Sequence, residues 1–186
     1  MKKLASLVLA LIVLSGCTGK RDELDRAMAL RAELLGCESC GFDVAVTADY
    51  GDSVLTFGMN CQGDNRGKLT FQVTQPESIA GITGVISAGE GALTFDGMLL
   101  EFPLLADGQV TPVSAPWLLL RTLRSGYLSS AGMDGEYLRL CMDDSYRDDA
   151  LHLDIWVNGE DMPVKAEILY SGRKILSLEV ASFAIS

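Results

Sequence analysis

The sequence predicts an α+β fold in which an antiparallel sheet of roughly ten strands is covered on one face by an N-terminal helix and a short central helix. Three observations lead there. A stretch with helical spacing stands near the N-terminus, and a shorter one interrupts the middle of the chain. After Cys40 the apolar residues alternate with period two, between two-residue turn signals. Strands joined by tight turns pair antiparallel, and such a sheet buries one face against a cover.

The elements follow in order. Lys2 and Lys3 precede an apolar run from Leu4 to Leu14, with small residues up to Gly16. Residues 1–16 therefore read as a secretory signal, too short for a stable membrane span. Residues 17–186 show no repeat, low-complexity tract or dividing linker and read as a single domain. Lys20–Leu35 is a predicted helix, with Leu24, Ala27, Met28, Leu34 and Leu35 on one side and Gly36 as its stop. Arg31 interrupts that side, so it is expected to pair or to snorkel.

Phe42, Val44, Val46 and Ala48 then alternate up to a Gly51-Asp52 turn, and Leu55, Phe57, Met59 and Cys61 alternate after it. Pairing Tyr50 with Ser53 sets Ala48 against Leu55, Val46 against Phe57, Val44 against Met59 and Phe42 against Cys61. A slip of one residue destroys that apolar face. Leu69, Phe71 and Val73 continue the alternation. Strand-like pieces follow at Gly84–Ser87, Ala92–Phe95 and Met98–Phe102, with Asp96-Gly97 as a turn. Ala115–Leu123 is a short helix with Pro116 near its first turn. Four more strands lie at Glu136–Met142, Leu151–Val157, Val164–Tyr170 and Lys174–Ile185, with turns at Asn158-Gly159 and Ser171-Gly172.

Chemistry is sparse. The chain carries 15 basic and 25 acidic residues, a net charge of -10, which repels phosphates and argues against nucleic acid as a partner. His152 is the one histidine, so no cluster built on several imidazoles forms. It lies in a strand beside Asp154 and Trp156, opposite Leu151, Leu153, Ile155 and Val157. The acidic run from Met142 to Asp149 lacks the spacing of a calcium loop and reads as a solvated turn. Gly81, Gly84, Gly89, Gly91 and Gly97 match no phosphate loop and suit bends in a sheet. No catalytic residue, metal site or cofactor is expected, and the chain is not read as an enzyme. Beyond Cys17, the cysteines are Cys37, Cys40, Cys61 and Cys141. Four cysteines outside the cytoplasm suggest two disulfides in one of three pairings. The hairpin register favours Cys40–Cys61 and leaves Cys37 with Cys141. Cys37-Glu38-Ser39-Cys40 has redox spacing, but it follows a helix where a thioredoxin-like motif opens one.

Leu14-Ser15-Gly16-Cys17 resembles the lipobox of bacterial lipoproteins. That resemblance implies cleavage before Cys17, a diacylglycerol on its thiol, and a domain held outside the cytoplasm on a bacterial membrane. The leading helix, the strands ending in FQVTQPESIAGITG, the LTFDGMLLEF hairpin and the C-terminal LHLDIWVNGEDMPVKAEILYSGRKILSLEVASFAIS together resemble the LolA/LolB-like superfamily of envelope proteins. The resemblance implies a strongly curved, unclosed barrel wrapped over helices. Its concave face is then the place for a lipid or other apolar ligand, with Phe42, Val44, Val46, Leu55, Phe57, Met59, Leu69, Phe71 and Val73 as the candidate contacts. Ala27, Met28, Leu34, Leu35, Trp117 and Leu118–Leu120 are the available cover. Lipid-anchored germination proteins of the GerS type resemble this architecture too, and imply the alternative of an accessory that docks on an envelope protein.

Overall fold

The computed structural model describes residues 18–88, 90–103, 105–106 and 109–186; the expected signal segment and Cys17 lie outside them. Helix α1 (Thr18–Gly36) leads into β1 (Ser39–Asp49), β2 (Val54–Asp64), β3 (Leu69–Gln75), β4 (Thr83–Ser87), β5 (Glu90–Phe95) and β6 (Met98–Pro103). A short ribbon of β7 (Leu105–Ala106) and β8 (Gln109–Val110) precedes α2 (Ala115–Ser125). The chain ends in β9 (Tyr127–Asp134), β10 (Tyr137–Asp143), β11 (His152–Val157), β12 (Pro163–Tyr170) and β13 (Arg173–Ile185).

Eleven strands form one open antiparallel sheet in the order β6-β5-β4-β3-β2-β1-β13-β12-β11-β10-β9. The first and last strands meet at its centre, so the free edges are β6 and β9. Tyr50 N donates to Ser53 O at 3.0 Å across the Gly51-Asp52 turn. The pairs Ala48/Leu55, Val46/Phe57, Val44/Met59 and Phe42/Cys61 follow, as the alternation requires. Asp96 and Gly97 both take positive φ, the backbone of a tight hairpin turn, and place Phe95 opposite Met98. Strand β9 was not expected. Its YLSSAGMD sequence carries small and polar residues where an apolar alternation normally stands, because an edge strand buries little.

The helices lie on one face of the sheet and complete a single core. The buried side of α1 differs from the expected one. Ala27, Leu30 and Leu34 face inward, while Leu24, Met28 and Leu35 are exposed. Arginines decide this rotation. Arg26 donates to Asp161 Oδ1 at 2.9 Å and to the Asn158 carbonyl at 3.0 Å. Arg31 donates to the carbonyls of Leu123 at 2.9 Å and Gly126 at 2.7 Å. These bonds satisfy the C-terminal end of α2, where carbonyls lack helical partners and cations are favoured. Helix α2 is pinned in turn by Trp117 Nε1, which donates to the Gly67 carbonyl at 2.8 Å.

Candidate functional site

The expected ligand face is a packed core. Phe42, Val44, Val46, Phe57, Met59, Leu69, Phe71 and Val73 all lie in the buried cluster and are at most 8 % exposed. Leu30, Leu34, Trp117, Leu118, Leu119, Leu120 and Leu123 belong to the same cluster. Leu55 departs from the set, being 53 % exposed. The β2–β3 ladder begins only at Gly58, so Leu55 has no strand beside it on that flank.

A cavity of about 340 Å³ opens at the rim of the sheet, lined by Pro103, Val110, Trp117, Leu118 and Leu151 and by charged groups that include Arg121 and Asp144. The acidic run beside it serves its own loop. Asp144 Oδ1 accepts the Leu151 amide at 2.8 Å, and Arg147 pairs with Asp149 at 2.8 Å.

Apolar surface lies instead on the free edge. Met98, Leu99 and Leu100 of β6 are 68 %, 67 % and 59 % exposed, and Phe95 is exposed beside them. Among the described residues β6 pairs with β5 alone, so no strand covers its outer side; at its end Thr111 Oγ1 donates to the Pro103 carbonyl at 2.9 Å. Between Lys68 and Arg121 the sequence has no lysine or arginine, but carries Glu77, Glu90, Asp96, Glu101 and Asp107. The β5–β6 hairpin itself is therefore apolar along its edge strand, with Glu90, Asp96 and Glu101 as its charges.

The four cysteines are free thiols. Cys40 and Cys61 do share the inward face, both buried and diagonal across the first hairpin. Cys37 and Cys141 do not come together. Cys141 alternates with the buried Leu140 and Met142 and so stands on the outer face. The Cys37 sulfur instead lies 3.4 Å from the Leu34 carbonyl at the end of α1. Arg124 Nη2 is 3.7 Å from the Cys37 sulfur and 3.9 Å from that of Cys40. Burial pushes the Cys40 thiol up despite this cation, and pushes that of Cys61 up further. Neither is poised as a thiolate nucleophile.

On the outer face, Asp154 is 5 % exposed and carries opposing influences. Burial pushes its carboxyl up, but the hydrogen bond from Arg139, the neighbouring Cys141 thiol and the charges of Arg139 and His152 hold it below the usual range. His152, placed by the sequence on this face, donates its Nδ1–H to Asp143 Oδ1 over 2.8 Å. The sequence alone places His152 beside Asp154 on this face and gives no cluster around it. The signal that links it to Cys141 is the β10–β11 register, which pairs Cys141 with Asp154 and Asp143 with His152.

No protein-family model matches the sequence, and no curated protein matches it. Solved structures do match in fold. An outer membrane lipoprotein-sorting protein domain from Vibrio parahaemolyticus superposes with a TM-score of 0.51 at 10 % identity, over 90 % of this chain and 93 % of that one. A LolA superfamily protein from Nitrosomonas europaea gives 0.49 at 12 % identity, over 86 % and 93 %. The chain shares the fold of the Vibrio domain, an open antiparallel sheet with two helices on one face.

Proposed function

We propose that the chain is a non-enzymatic, extracytoplasmic lipoprotein, anchored through Cys17, that works by docking on a partner protein of the bacterial envelope. Residues 1–16 are the signal segment and residues 17–186 the docking module. The observation that carries this reading is the edge strand β6, with three consecutive large apolar side chains in solvent and no strand on its outer side among the described residues. Exposed edges of this kind recruit an extended segment by strand addition. The acids around it select a segment with apolar residues flanked by basic ones, and disfavour an anionic membrane surface.

A second reading, binding of a lipid or other apolar ligand, rests on the rim cavity of about 340 Å³ beside Trp117 and Leu118.

A photo-cross-linker at Leu99 in membranes separates the two. The docking reading expects one discrete protein adduct at Leu99 and none from the same probe at Thr56, on the exposed part of β2. Adducts to lipid alone, or equal yields at both positions, overturn it. The anchor has its own test: Cys17→Ser is expected to leave the precursor uncut and unlipidated, and normal processing of that variant refutes the lipoprotein reading.

A further inference from the structure

We infer that the outer face of the β10–β11 hairpin is a binding site for a divalent transition metal, best suited to zinc, with Cys141, His152 and Asp154 as its three protein ligands. Cys141 and Asp154 are direct cross-strand partners, and His152 stands two residues before Asp154 on the same face. One ligand atom from each residue lies within 4.8 Å of the other two. The side chains therefore converge from two hydrogen-bonded strands, a rigid frame for a site.

Two details point to a cation as the ligand. Asp154 Oδ1 is buried and has no hydrogen-bond partner. Its side chain is only 7 % exposed, and Arg139 satisfies the other oxygen at 2.7 Å. A buried carboxylate oxygen left unpaired is costly, so something is expected to meet it. His152 Nε2 sits 3.5 Å from that same oxygen. The gap is too long for a good hydrogen bond. It is close to the separation of roughly 3.3 Å between two ligands of a tetrahedral ion with bonds of about 2.0–2.1 Å.

The second detail is the partner of the imidazole's other nitrogen. Asp143 Oδ1 lies 2.8 Å from His152 Nδ1. A carboxylate there takes the Nδ1 proton as a hydrogen bond and leaves the Nε2 lone pair free, the usual support of a metal-bound histidine. The donor set of one sulfur, one imidazole nitrogen and one carboxylate oxygen suits zinc, with a fourth position open to water. On binding, the Cys141 proton leaves to solvent and the thiolate takes the metal. Arg139 moderates the charge of Asp154 without occupying the oxygen that faces the site.

The test uses the full chain, purified in detergent with its thiols reduced and titrated with Co2+. The expected result is one equivalent of cobalt bound, with a thiolate-to-cobalt charge-transfer band, displaced by Zn2+. Cys141→Ser should abolish the band, whereas Cys37→Ser and Cys40→Ser should keep it. Asp143→Asn touches no ligand atom and should weaken binding by about 10–100-fold while leaving the unloaded protein folded. Absence of the band in the parent chain, its survival in Cys141→Ser, or unchanged affinity in Asp143→Asn overturns the assignment.

Discussion

Arg31 and Arg124 cap one another's helices. Arg31 of α1 donates to the Leu123 and Gly126 carbonyls at the end of α2, and Arg124 of α2 donates to the Leu34 carbonyl at the end of α1 over 3.0 Å. Arg124 also reaches the Asp64 carbonyl of β2, at 2.6 Å. The pair fixes both helices to each other and to the sheet, and so holds the inner face shut.

Arg124→Ala removes four carbonyl or sulfur contacts and leaves partly buried carbonyls unpaired. It should lower stability by about 1–3 kcal/mol, read by urea unfolding. Arg124→Lys should restore little, because one ammonium cannot span the forked arrangement. Full recovery in the lysine variant contradicts this account of the pair.

Phe71 and Gly84 are cross-strand partners on β3 and β4, and the ring lies over the glycine. A Cβ at Gly84 would stand 2.3 Å from Phe71 Cζ and 2.8 Å from the Ala92 carbonyl oxygen. Gly84→Ala should therefore destabilise by about 1–3 kcal/mol through overpacking. Gly132→Ala on β9 meets nothing within 4 Å and should be near neutral. Equal thermal shifts for the two variants count against the aromatic–glycine packing.

Asp43 ties three central strands. Its carboxylate accepts from Asn60 Nδ2 at 2.9 Å and from Ser182 Oγ at 2.9 Å, and these bonds hold its pKa below the usual value. Burial pushes Glu167 up, but Lys165 and Lys174 more than reverse this. Both groups bind protons more weakly when folded. Their contribution is therefore present above the unfolded pKa values of about 3.9 and 4.3 and lost as the pH falls through the folded ones. Asp43→Asn should melt lower than the parent at pH 7, and the difference should shrink below about pH 4. A difference that stays constant on acidification rules out the carboxylate as its source.

Much of the sheet was legible because independent signals agree. Around Gly51-Asp52 the turn residues and the alternation on both sides demand the same register, which β1 and β2 adopt. Helix α1 was read with its apolar side rotated, since counting Leu24, Met28 and Leu35 as core ignores the carbonyls that Arg26 and Arg31 reach. Strand β9 offered only Asp134-Gly135 as a turn cue, for Ser129, Ser130 and Gly132 give no apolar period. The juxtaposition of Cys141, His152 and Asp154 was hidden for a related reason. The loop between β10 and β11 spans residues 144–151, and no short turn in the sequence sets the pairing across it.

The packed inner face underlies the choice of docking over ligand carriage, and thermal unfolding of Met59→Trp tests it most directly. Met59 is 1 % exposed, opposite Val44 and Val73 on its two neighbouring strands. A full core cannot take an indole there, so the variant should lose about 1–3 kcal/mol or more and melt well below the parent. A melting temperature near that of the parent, accompanied by loss of fluorescent fatty-acid binding, means that the face holds an empty apolar cavity and contradicts the account.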